Sequence, residues 1–347
     1  MVVLSMAGFV RVKPSYDIII LGGGHAGLQA GLKAGLLHQT AVILDRGPKY
    51  GRSYYAPSMD NIPGFPGGIS GHKLLDLQIQ QLKEVASWTA YLSPVTLQKV
   101  ERQGAEFVVV FERLRQVHTV RGKVLLLALG VVDRIPHVHG SIEPIFPWAN
   151  NGVVDFCMLC DGHTLPGRSV GVVGGGTYAV RTALDLFHFQ PSSVTLLTHG
   201  ERLLEDADGE ERKELERSLA AHHVRVVTQE IVDFEGIREK RFGVVLKDGT
   251  RETFDKGFCA LGWYSTHGDL PRALGAKVTD EGYVPTDDDG RVLAADGSGV
   301  IPGLYAAGDI RDGWKQVPEA WATAERAIIH AFAFYLEEEA RPRTLEP

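Results

Sequence analysis

"YDIIILGGGHAGLQAGLKAGLL", residues 16–37, decides the fold class. The apolar run Ile18–Leu21 reads as a buried strand, Gly22, Gly24 and Gly27 follow in G-x-G-x-x-G spacing, and a helix opens directly after them. Each glycine has a physical reason: a tight turn, close approach of backbone to a pyrophosphate, and close packing of helix on strand. The helix N-terminus adds N–H donors and the positive end of a dipole. A second strand, "TAVILD", ends in Asp45, a carboxylate about 20 residues downstream and placed to bond an adenosine ribose. Strand, glycine loop, helix, strand and acid together predict an α/β dinucleotide-binding unit.

The pattern recurs. "RSVGVVGGGTYAVRTALDLF", residues 168–187, sets Gly174, Gly176 and Ala179 in the same register after a Val-rich strand, and "SSVTLLT" supplies the next strand. Two such folds in one chain predict two dinucleotides. A third stretch, "GLYAAGDI" at 303–310, is a strand ending in Gly308 and Asp309. With 347 residues, 44% hydrophobic, the chain is long enough for two domains with their own cores. A formal net charge of -7 with scattered basic residues predicts neither a nucleic-acid nor an anionic-lipid partner. No apolar run reaches the roughly 18 residues needed to span a bilayer. The opening "MVVLSMAGFVRVKPSYD" reads as a short extension of a cytoplasmic protein, since a strand starts right after it.

Three cysteines, Cys157, Cys160 and Cys259, cannot make a structural disulfide framework. "FCMLCDGH", residues 156–163, spaces two of them C-x-x-C, for which three readings stand: a redox pair, half of a zinc site, or two small core residues. A structural zinc site wants four ligands, and only Asp161 and His163 lie close by in sequence. C-x-x-C at a helix start is the geometry in which one thiolate is stabilised, which favours the redox reading. Cys259, in "KGFCALG", reads as a small hydrophobe within a strand. The charge run "EDADGEERKELERS", 205–218, reads as a solvated helix face.

The order of GGGHAG, "VLLLALG", CMLCDG, GGGTYA and "GLYAAGD" resembles the low-molecular-weight thioredoxin reductases among the FAD-dependent pyridine nucleotide-disulfide oxidoreductases, from about Tyr16 to about Phe334. "DNIPGFPGGISG", residues 60–71, resembles the segment that runs beside the flavin in that family. The resemblance implies two Rossmann-like three-layer domains, the second inserted into the first. An FAD domain of residues 1–132 and 265–347 would enclose an NAD(P)-like domain, 133–264, carrying the C-x-x-C. "ALGVVDRIP" and "ALGWYSTHG", each a strand followed by a glycine, mark the same crossings.

By the same resemblance Gly22, Gly24 and Gly27 would cradle FAD, with Asp45 at the adenosine ribose and Asp309, after Gly308, at a ribityl hydroxyl. Asn61, Gln316 and Val317 would also line the flavin, and the helix starting near Pro318 would aim its N-terminus at the flavin. Gly174, Gly176 and Ala179 would take NADPH or NADH. Cys160 would exchange electrons with the flavin, Cys157 would attack the substrate disulfide, and Asp161 would protonate the departing thiolate. A thioredoxin-like protein or small disulfide would be the substrate, a homodimer the assembly, and the two domains would swing between two poses. NADPH-specific members of the family carry a His-Arg-Arg cluster where this chain has Thr198, His199 and Gly200, with Arg202 nearby, and Arg181 replaces an acid common there. Neither nicotinamide is therefore specified. Three functions follow: an NAD(P)H-dependent flavoprotein disulfide reductase, a nicotinamide-independent dithiol oxidase or carrier-fed reductase, and a flavin-bearing redox sensor.

Overall fold

The computed structural model describes residues 12–265 and 267–339; the N-terminal extension expected over the first residues lies largely outside them. Two compact units divide the chain. One comprises the residues up to Tyr54, His72–Val131, and those from Ser265 onward; the other comprises Tyr55–Gly71 and Val132–Tyr264.

The first unit is built on an eight-stranded sheet. Its main path runs Arg291–Leu293, Val300–Ala306, Gln116–Leu127, Ser15–Leu21, Ala41–Leu44 and Thr89–Leu92. The four central strands are parallel, with Ile18 to Leu21 opposite Ala41 to Leu44 on one side and Val124 to Leu127 on the other. These runs are apolar on both faces because both faces are covered. On one face pack the helices His25–Leu36 and Val317–Glu339, through Ala26, Ala30, Ala34, Ala324, Ala327 and Ala331. Alanines at that spacing let the two helices lie close to the sheet and to each other. The opposite face is covered by the antiparallel hairpin Thr96–Gln103 and Glu106–Arg113, with Phe107 and Phe111 fully buried.

The second unit has a five-stranded parallel sheet in the order Arg225–Val227, Ser193–Leu197, Ser169–Val173, Lys256–Cys259, Val154–Asp155. Helices Thr177–Asp185 and Gly209–Ala221 pack on one face, and the antiparallel sheet Ile231–Glu235, Phe242–Leu246, Arg251–Phe254 lies against the other through Phe242 and Phe254. Both units are thus three-layered α/β folds around a Rossmann-type sheet. Cys259 is buried in this core with a free thiol, and burial raises its pKa.

Two local expectations change. Residues 1–132, expected as one continuous piece, are interrupted, because Tyr55–Gly71 groups with the second unit. Tyr55 stacks on Phe146 and the Asp60 carboxylate meets His163 at 3.1 Å, which ties the segment there. The charge run 205–218 is not helical throughout: the helix begins at Gly209, where Asp208 caps it by accepting from the N–H groups of Glu210 and Glu211. Asp206 stays outside the helix and is used elsewhere.

Candidate active site

The strand Val154–Asp155 delivers the chain into Cys157, which holds an extended conformation and starts the short helix Met158–Asp161. Cys157 and Cys160 are joined as a disulfide, with their Cα atoms 5.3 Å apart. The N–H groups of Cys160 and Asp161 both donate to the Cys157 carbonyl, which fixes the turn. Met158 packs into the core, while Leu159 is 54% exposed at the tip of the turn. Gly162 follows against the Phe189 ring, where an added Cβ would lie 2.5 Å from a ring carbon.

Electrostatics single out Asp161. Burial lifts its carboxyl to a pKa of about 7; repulsion from Asp155 and Asp60 adds to the rise, and Lys256 opposes it. Asp155 is buried in a 2.6 Å ion pair with Lys256, whose ammonium also donates to the Gly152 carbonyl. At neutral pH, Asp161 therefore exists in comparable amounts as acid and carboxylate, directly beside the disulfide in the chain.

In the first unit, Gly22 turns at φ +104° and brings Gly27 so close that a Cβ on Gly27 would stand 1.9 Å from the Gly22 carbonyl oxygen. Those two glycines answer to the protein's own packing. Gly24 does not: a Cβ there would meet nothing within 4 Å. The backbone at Gly24 thus faces open space at the start of a helix whose first turn carries no acid and whose N-cap makes no side-chain bond. That is a cradle for a dinucleotide pyrophosphate, and these residues fit FAD. Asp45 accepts from the Gly23 N–H at 3.0 Å, from Tyr91 Oη at 2.8 Å and from Ser93 Oγ at 3.3 Å, so it braces the loop as well as standing at the ribose position. His25 is buried and bonded to Gln78 and Ser53. Gly308 packs on Ala26 and its N–H donates to Thr323; Asp309 lies 3.7 Å from the Arg52 guanidinium. The Gln316 carbonyl accepts from the Ala320 N–H, and Val317 begins the long helix. The first unit carries Gly22, Gly24, Gly27, Asp45, Gly308, Asp309, Gln316 and Val317, whereas Asn61 belongs to the segment that groups with the second.

The second glycine loop has the same backbone course and different surroundings. Gly174 turns at φ +141° beside the buried Ala179. The Gly175 N–H donates to Glu201 Oε2 at 2.8 Å, and the Thr177 N–H donates to Asp206 Oδ1 at 2.8 Å. Arg181 is paired with Glu211 at 2.7 Å. His199 accepts from the Ile231 N–H at Nδ1, so the proton sits on Nε2, which donates to the His137 carbonyl. The Gly175–Glu201 bond repeats the Gly23–Asp45 bond of the first loop. The Thr177 N–H and the bare side of Gly176, which a dinucleotide pyrophosphate would need, are however taken by Asp206, and the residues present do not fit NADPH or NADH.

The sequence pattern of the pyridine nucleotide-disulphide oxidoreductase family matches residues 16–327. The chain belongs to the pyridine nucleotide-disulphide oxidoreductases. This oxidoreductase is 27% identical over 333 residues to a thioredoxin reductase of Treponema pallidum, covering 94% of this chain and 99% of that protein. It is 29% identical over 334 residues to a thioredoxin reductase of Mycolicibacterium smegmatis, covering 93% and 98%. Its fold superposes on the crystal structure of thioredoxin reductase from Streptococcus pyogenes with a TM-score of 0.78 at 24% identity, covering 94% of this chain and all of that one. The oxidoreductase is a flavoprotein enzyme of disulfide chemistry, with Cys157 and Cys160 as its disulfide. Three residues around that disulfide escaped the sequence: Asp60, Asp155 and Lys256. The one available signal was Asp155, a charge inside the apolar run "GVVDF".

Proposed function

We propose that this oxidoreductase reduces a thioredoxin-like protein or a small disulfide at the Cys157–Cys160 pair, using FAD held by the first unit. FAD, when bound, supplies the two-electron chemistry that reduces the pair. Everything else is done by side chains. The reduced Cys157 thiolate attacks one sulfur of the substrate disulfide, forming a mixed disulfide and releasing the other sulfur as a thiolate. Asp161, protonated at or below a pH of about 7, gives that thiolate its proton. Cys160 then attacks the Cys157 sulfur, re-forming the Cys157–Cys160 disulfide and freeing the second substrate sulfur as a thiol. Substrate disulfide becomes dithiol, enzyme dithiol becomes disulfide, and two electrons pass. The same steps in reverse oxidise a dithiol.

The observation that carries this reading is the Cys157–Cys160 disulfide next to a carboxyl whose pKa burial has moved to about 7. The test is a single turnover that needs no natural electron donor. Chemically reduced protein, freed of excess reductant, is mixed anaerobically with an aromatic disulfide or an oxidised thioredoxin. Wild type should release about one equivalent of dithiol per reduced pair, and Cys157→Ser should release none on the same timescale. Equal release by Cys157→Ser and wild type would end the proposal. Action as a homodimer in the cytoplasm is proposed alongside it, and light scattering of the purified protein at several concentrations tests the dimer.

A further inference from the structure

A pyrophosphate bound at a Rossmann loop is held by the backbone N–H groups of the loop and of the first helical turn. At the second loop those groups already have anionic partners. Thr177 donates to Asp206 twice, from its N–H at 2.8 Å and from Oγ1 at 2.7 Å, and Gly175 donates to Glu201 at 2.8 Å. The same carboxylates cover the bare side of the glycines. A Cβ on Gly176 would lie 3.0 Å from Asp206 Oδ2, and one on Gly175 would lie 2.9 Å from the Glu201 Cβ. In the first loop Gly24, which matches Gly176, has nothing there. Gly23, which matches Gly175, donates to Asp45 and is covered by it as Gly175 is by Glu201, so Asp206 is what sets the second loop apart.

The segment carrying both acids is anchored. The Leu204 N–H donates to the Gly175 carbonyl at 2.7 Å, the Leu204 side chain is buried in the core, and Arg212 donates to the Leu204 carbonyl. A pyrophosphate entering this loop would lose both carboxylate bonds and meet two negative charges. Arg181 is committed to Glu211, and His199 Nε2 donates to the His137 carbonyl.

We infer that Asp206, with the charge of Glu201 beside it, closes the second glycine loop to pyridine dinucleotides and so sets the specificity of this unit by exclusion, whichever disulfide the enzyme acts on. The inference concerns binding at the second unit alone, and the dithiol step proposed above stands or falls separately.

Binding is read by calorimetry, with NADPH and NADH titrated into the flavin-loaded full-length protein and inorganic pyrophosphate as a third probe. Wild type should show no saturation up to about 1 mM of any of the three. Glu201→Ala/Asp206→Ala should gain affinity for at least one dinucleotide by about tenfold or more, the gain shrinking as salt rises. The paired variant Glu201→Gln/Asp206→Asn keeps the shape and removes the charge; it should also gain if the alanine variant does not fold. Saturation of wild type at tens of micromolar would overturn the inference. So would a folded neutral variant that binds no better than wild type, because the carboxylates would then not be the barrier.

Discussion

Asp161 gives the sharpest residue-scale test. Its pKa is raised, so the proton-donating form is full well below pH 7 and is depleted as pH rises through about 7. Disulfide reduction from chemically reduced enzyme should therefore slow above that pH, apart from the rising thiolate fraction of the cysteines. Asp161→Asn should lose this limb and run slower by about 10²-fold to 10⁴-fold, the usual worth of a positioned acid. A stopped-flow pH series on both proteins checks it; identical profiles would remove Asp161 from the chemistry. Asp161 was legible because it directly follows the second cysteine. Its protonation was not, since that depends on Asp155 and Asp60, one in a neighbouring strand and the other about 100 residues away.

At the scale of elements, the two glycine loops repay comparison. Gly27→Ala puts a methyl 1.9 Å from the Gly22 carbonyl, a contact that no side-chain adjustment relieves, so soluble flavoprotein should be lost. Gly24→Ala meets no protein atom, and the fold should survive with weaker flavin retention, read as flavin absorbance per chain after gel filtration alongside the Tm of the stripped protein. Strands Val154–Asp155 and Lys256–Cys259 pair in parallel and carry the buried Asp155–Lys256 ion pair. Lys256→Met leaves Asp155 without its partner and should cost about 3 to 5 kcal/mol in denaturant unfolding, much of it restored when Asp155 is also made apolar. Removing Asp155 alone should lower the pH midpoint of Asp161, because Asp155 raises it. Glycine spacing announced both loops because a backbone constraint can be met by so few residue types. The ion pair stayed hidden, since its halves lie 101 positions apart and meet only through strand order. Asp206 stayed hidden for another reason: within a run of charges, nothing local separates a residue that faces water from one that turns back onto a neighbouring loop.

For the whole molecule, the proposed cycle makes the enzyme a store of electrons in two places. Anaerobic titration with dithionite should take about two two-electron equivalents per flavin-loaded chain, one for the flavin and one for the disulfide, and Cys160→Ser should take about one. A wild-type value of one would mean that the disulfide does not communicate with the flavin. The family, the two Rossmann-type sheets and the disulfide were all visible in the order of motifs along the chain. The grouping of Tyr55–Gly71 with the second unit was not, because contacts such as the Tyr55–Phe146 stack and the Asp60–His163 pair join residues far apart in the chain.

Cys259 supplies a gauge for such experiments. Its thiol is buried in the second core and burial disfavours its thiolate, so a water-borne alkylating reagent should pass it by in the folded protein. Mass added by labelling then counts the state of the other two cysteines: none on oxidised enzyme, two on reduced enzyme, and the third only once the chain is unfolded. A mass spectrometer could thus report redox state and structural integrity from one sample, without a reporter group being attached.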